Sequence, residues 1–149
     1  MKYLTLLTVL LGTVLTGCAQ HNVPQGDIVS LEYTRSGTMA GHIYMAYVTR
    51  DSLGAYTLEA MPKDYADLRK RSLSREELDT LRSIIIEEKM YAYKERYTPI
   101  MPIMDGYSWR LVIKFSDGKR IYSGGSNAVP RGGGIQRLRD YLAQLAHKD

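Results

Sequence analysis

Residues 107–115 read Tyr-Ser-Trp-Arg-Leu-Val-Ile-Lys-Phe, with a large apolar side chain at every odd position and Ser108, Arg110 and Lys114 alternating with them. Side chains of an extended chain point alternately to opposite faces, so this stretch is a strand with one face packed and the other mostly wet. Such a strand is stable only inside a sheet with an apolar layer against it. Ser116-Asp117-Gly118-Lys119 supplies a turn, and residues 120–123 return as the partner strand.

The N-terminal half repeats the pattern. Over residues 28–35, Val29, Leu31 and Tyr33 fall on one side and Ser30, Glu32 and Thr34 on the other. Ser36-Gly37 and Ala40-Gly41 bracket a turn into a second β-rich run at 42–50, and Asp51-Ser52-Leu53-Gly54 leads to a third at 55–61. Pro62 ends that run, and 63–74 reads as a charged, solvated connection. Ser74-Arg75-Glu76-Glu77 is a capping box, so a helix starts there and runs to about residue 90, burying Leu78, Leu81, Ile84 and Ile85. A second helix at 135–147 buries Ile135, Leu138, Leu142 and Leu145, with Tyr141 at the border of the stripe. The expected fold class is α+β: an antiparallel sheet of about five strands, an N-terminal meander plus a C-terminal hairpin, covered by two helices. Twelve tyrosines against one tryptophan and one phenylalanine suit half-buried sheet faces, where the ring packs and the hydroxyl reaches a partner.

Ahead of this domain, Lys2 precedes an apolar run at 3–15, and Leu15-Thr16-Gly17-Cys18 closes it with the only cysteine. The run has 13 residues, whereas a membrane-spanning helix takes roughly 20, so it reads as a secretory signal. The same residues would suit an ordinary exported protein carrying a chance Leu-x-Gly-Cys. Small residues before the cut, the length of the run and the lone cysteine agree better with a closer match: the segment resembles the bacterial lipoprotein signal. That resemblance implies cleavage before Cys18, lipid on its thiol and usually an acyl group on its new amino terminus. It divides the chain into a signal peptide at 1–17, a lipid-anchored tether at 18–26 and one domain at 27–149. With Ala19 where an aspartate would retain a lipoprotein in the inner membrane, it also implies an outer-membrane protein of the cell envelope, on the periplasmic face. The membrane is then the first partner, reached through the lipid on Cys18.

Lys2 leaves with the signal, so the formal charge falls from +4 to +3 over the remaining 132 residues. So small and evenly spread a charge argues against nucleic acid as a partner. Cys18 is consumed by lipid, so neither a disulfide nor a thiolate nucleophile remains. Of three histidines, His21 lies in the tether and His147 at the C-terminus, leaving His42 as the base for any hydrolase, with Ser108 or Ser126 as nucleophile. No nucleophile elbow, metal-ligand cluster or cofactor fingerprint accompanies them, so the sequence names no catalytic residue, metal or cofactor. Residues 98–104, Thr-Pro-Ile-Met-Pro-Ile-Met, form an apolar loop suited to tucking over the end of the core or to meeting a partner; a hydrophobic carrier would hold its cavity beneath it. The glycine-rich stretch at 124–134 has free amides before a helix, with Arg131 and Arg137 near, but lacks a phosphate-loop signature; Asn127 and its glycines read as positive-φ positions in a surface loop.

Asp105-Gly106-Tyr107-Ser108-Trp109, a hairpin, Gly125-Ser126-Asn127-Ala128-Val129-Pro130 and an amphipathic helix together resemble a group of small exported bacterial proteins and lipoproteins to which no reaction is assigned. The resemblance spans the chain from Ser74 onward and supports fold and compartment. The candidate binding surface is Tyr107, Trp109, Ser126, Asn127 and Arg131, and the expected function is a non-enzymatic binding or scaffold module that meets an envelope protein or a wall component. A small-ligand or hydrophobic carrier is the alternative, with a hydrolase behind it.

Overall fold

The computed structural model describes residues 23–37, 41–101, 103 and 106–148. Cys18 and the signal lie outside the described residues. Seven strands, β1 (Ile28–Gly37), β2 (Gly41–Arg50), β3 (Tyr56–Ala60), β4 (Arg69–Ser72), β5 (Arg96–Tyr97), β6 (Tyr107–Phe115) and β7 (Arg120–Ser126), form one sheet in the order β4-β3-β2-β1-β6-β7-β5. Two helices, α1 (Arg75–Glu87) and α2 (Gly134–His147), complete an α+β domain. No helix among the described residues is long and apolar enough to cross a membrane.

The pairing register explains why one face became the core. Tyr33 stands opposite Ala46 and Leu111, Leu31 opposite Val48 and Ile113, Val48 opposite Leu58, and Ile113 opposite Ile121. Directly opposed residues share a face, so these form one apolar layer, and they join the stripes of α1 and α2 in a single buried cluster. Each large side chain buried there contributes about 1.5–3 kcal/mol. The opposite face carries Glu32, Tyr47, Glu59, Arg110 and Tyr122, and Arg110 pairs with Glu32 across it. Alternation in β6 is as expected, with Trp109, Leu111, Ile113 and Phe115 buried. All four expected apolar positions of α1 and of α2 are buried as well. The capping box of α1 is complete: Glu77 N donates to Ser74 Oγ at 3.2 Å and Ser74 N donates to Glu77 Oε2 at 3.0 Å.

Several expectations need correction. The sheet has seven strands and not about five, and it is mixed, because β5 runs parallel to β7. β4 lies inside the stretch read as a solvated connection: Arg-Lys-Arg-Ser carries no β-forming signal, and its charges suit an outermost strand that must not recruit another chain. β5 is two residues long, below what any periodicity can register. β7 extends through Gly124 and Gly125 into the stretch read as loop, since close backbone approach leaves no room for side chains there. In β1 a bulge between Ile28 and Ser30 shifts the alternation, so Ile28 takes the core position expected of Val29. Helix α1 ends at Glu87 because Lys89 adopts a left-handed conformation, φ 50°.

Val23 to Gly26, at the end of the stretch assigned to the tether, are hydrogen-bonded to the domain. Gln25 N and Gly26 N donate to Asp117 Oδ2 at 2.8 and 3.2 Å, and Arg82 Nη2 donates to Pro24 O at 2.7 Å. In the apolar loop at 98–104, Ile100, Met101 and Ile103 are exposed, Ile100 fully at 104%. The described part of that loop faces solvent and does not tuck over the core.

Candidate functional site

The residues singled out in the sequence converge on the open end of the β6–β7 hairpin, where they divide into scaffold and surface. Asn127 sits in the left-handed region, φ 52°, with its amide and its side chain both turned to the start of β6. Tyr107 N donates to Asn127 Oδ1 and Asn127 N donates to Tyr107 O, both at 2.9 Å. A methyl group on Gly106 would overlap the Asn127 side chain, which is why glycine precedes Tyr107. Trp109 is 4% exposed, and its Nε1 donates to Ala128 O at 2.7 Å. Asn127 and Trp109 therefore fix the course of the chain from 127 onward and present little of themselves. Ser126 is exposed and opposes Ser108, and Arg131 is exposed on the following loop. Arg137 is not free for an anion, since it pairs with Glu87 and Glu88 at 2.8 Å each.

The pinned loop walls a cavity of about 200 Å³ lined by Tyr33, Arg35, Tyr107, Val129, Pro130, Gly133, Ile135, Gln136 and Arg139. Of the five surface residues expected from sequence, Tyr107 alone lines it. Tyr33 and Arg35 come from β1, and Gln136 and Arg139 come from the first turns of α2. The Arg35 guanidinium stacks over the Tyr107 ring, 4.3 Å from its centroid. Such stacking holds a cation in place without a counter-ion. Arg139 lies 5.7 Å from the centroid of Tyr44 and 3.6 Å from Asp64 Oδ1, an ion pair too long for a hydrogen bond. Among the described residues, the Nε groups of both arginines are buried without a hydrogen-bond partner. Buried donors without acceptors are uncommon, because each forfeits its bonds to water.

Burial pushes the Tyr33 hydroxyl up to about 12 even though Arg35 and Arg139 both pull it down. Tyr44 is pushed up further, again by burial first. Both phenols stay neutral at physiological pH, so the charge around Tyr33 is two guanidinium cations against the carboxylate of Asp64, and Asp140 acts on Tyr44 as well.

The arginines were legible in part. Arg35 is the next step of the Leu31, Tyr33 alternation, and Arg139 lies four residues after Ile135 and three before Leu142, within the apolar stripe of its helix. A cation in register with a buried face is a usable signal, but the sequence gives no sign that two such cations meet.

The set suggested for hydrolysis is not brought together. His42 is on β2, Ser108 on β6 and Ser126 on β7, with β1 between the first two. Strands lie about 4.8 Å apart, so Ser108 stands about 10 Å and Ser126 about 14 Å away across the sheet. The serine within reach of His42 is Ser36, with Oγ 3.2 Å from Nδ1. No protein-family model matches the chain, and no curated protein is significantly similar to it.

Proposed function

We propose that this protein is a lipid-anchored binding module of the bacterial envelope, held at the outer membrane through Cys18, and that it captures its partner at the Arg35/Arg139 cleft without transforming it. One observation carries the reading. Two guanidinium groups with unpartnered Nε donors line a tyrosine-walled cavity whose rim is fastened by Asn127 and Trp109. A fixed, partly apolar concavity with a few converging polar groups is the form that binding sites take. Arginine and tyrosine are also the side chains that dominate recognition energies. The partner is an envelope protein or a wall component, and the net charge gives no reason to expect nucleic acid.

The sequence around Cys18 supports the anchor, and simple energetics say how many chains it would need. A single acyl chain holds a protein only marginally, at about 0.8 kcal/mol per buried methylene, so durable attachment takes two or three. Two measurements test the proposal. Palmitate labelling should mark the wild type and not Cys18→Ser; label on both, or on neither, removes the anchor. Crosslinking in intact envelopes should enrich one partner with the wild type and lose it with Arg35→Gln. A chain that enriches nothing, or whose partner is indifferent to Arg35, would falsify the cleft as the capture site.

A further inference from the structure

Charge, shape and unsatisfied donors in the cleft together restrict what it can hold. Arg139 has Asp64 at 3.6 Å and Asp140 beside it on the same helix, whereas among the described residues Arg35 is braced by the Tyr107 ring and by no carboxylate, so its positive charge is the one left over. One surplus charge suits a monoanion better than a phosphate dianion, whose second charge would be desolvated without compensation. Guanidinium groups are planar forks that match the geometry of a carboxylate, forming two parallel bonds to its oxygens. The remaining walls, Val129, Pro130, Ile135 and the tyrosine rings, offer no further charge. A volume of about 200 Å³ exceeds the roughly 150 Å³ that accommodates benzene, which leaves room for the carboxylate and a short body but not for a long chain.

We propose that the cleft is a receptor for one carboxylate carried on a compact, mostly apolar body, such as the terminal residue of a peptide, with Arg35 and Arg139 as its ligands. This rests on the cleft being the capture site. Tyr33, kept protonated by its surroundings, remains a hydroxyl donor beside the two arginines and adds no negative charge against the ligand.

The mature chain, labelled with nitrogen-15, is titrated with an N-acetylated dipeptide ending in alanine, with its C-terminal amide, with benzoate and with inorganic phosphate. The free acid should shift the Arg35 and Arg139 Nε–H resonances and the Trp109 indole N–H. The amide should bind at least tenfold more weakly, and phosphate no better than the amide. Benzoate binding as tightly as the peptide acid identifies a free small carboxylate as the source; benzoate binding more weakly identifies a peptide terminus. Arg35→Gln and Arg139→Gln should each weaken the acid at least tenfold, and the comparison of acid with amide needs no variant, so it stands even where a variant misfolds. Equal binding of acid and amide, tighter binding of phosphate, or no shift up to about 10 mM ligand, beyond the range of a weak specific site, overturns the assignment. If the probes fail while Arg35→Gln still abolishes crosslinking in envelopes, the carboxylate falls and the binding module stands. If both fail, both fall.

Discussion

Glu77 concentrates more of the fold on one side chain than its place in a first helical turn suggests. Its carboxylate receives the Ser74 amide, the Arg71 guanidinium at 3.1 Å and Lys148 at 3.4 Å. Arg71 also donates to Leu145 O at 3.2 Å, so the group ties β4 and the start of α1 to the end of α2. Burial pushes the Glu77 carboxyl up, but the Ser74 amide, Arg71 and Lys148 outweigh it and hold the carboxyl below its ordinary value of 4.5. A lowered carboxyl contributes stability that is whole above the unfolded value and is lost as pH falls through the folded one. Glu77→Ala is expected to cost about 2 kcal/mol in urea unfolding at neutral pH, from the lost cap and an unpaired Arg71. Glu77→Gln keeps an acceptor for the cap, so its loss should be smaller at neutral pH and should shrink further below about pH 4, where the wild type also loses the charge. Equal losses for Gln at both pH values would show that the charge contributes nothing.

At the scale of elements, the sheet depends on what its outer strands lack. β5 can lie parallel to β7 because Gly125 leaves the backbone bare: a methyl group there would come within 2.7 Å of both Tyr97 O and Ala128 O. Gly124 N donates to Glu95 O at 3.0 Å, and Ser123 Oγ, fully buried, donates to Lys94 O at 2.7 Å. Gly125→Ala is therefore expected to push β5 from the sheet at a cost of about 1–3 kcal/mol, the usual range for overpacking. Hydrogen exchange at the Gly124 amide should accelerate while the β1–β6 amides stay protected; unchanged exchange at Gly124 would show that the strand pair adapts. Element type was readable wherever periodicity lasted, as in β6, α1 and α2. β4 and β5 escaped because one is made of charges and the other of two residues. β4 pairs with the strand just before it, β3, whereas β5 waits for β7, further along the chain.

For the molecule as a whole, the tyrosines make stability depend on alkaline pH. Burial raises Tyr33 and Tyr93 to about 12, with Arg35 and Arg139 opposing the rise at Tyr33 and Glu88 adding to it at Tyr93. A raised phenol contributes stability that is whole below its unfolded value of 10.0 and is lost as pH rises through the folded value. The domain should lose stability steadily between pH 10 and 12, and Tyr33→Phe should make that decline shallower by up to one proton's worth. An identical slope in the variant would mean that Tyr33 ionises freely in the folded state. The cleft belongs to this scale as well. β1, the β6–β7 end, the 127–133 loop and α2 each bring part of it, so Asn127 and Trp109 act on it only by setting the loop's course.

Local information in the chain was enough for the α+β class, the capping box, the buried stripes of both helices, the alternation of β6 and the left-handed Asn127, because each is decided by the backbone or by neighbours a few residues away. The expected lipidation of Cys18 rests on that local signal as well. Strand number, the parallel pair, the bulge that turns Ile28 inward and the meeting of Arg35 with Arg139 belong to tertiary structure alone. Strand pairing and helix docking bring together residues about a hundred positions apart, and no periodicity within a single element encodes which distant side chain will stand opposite.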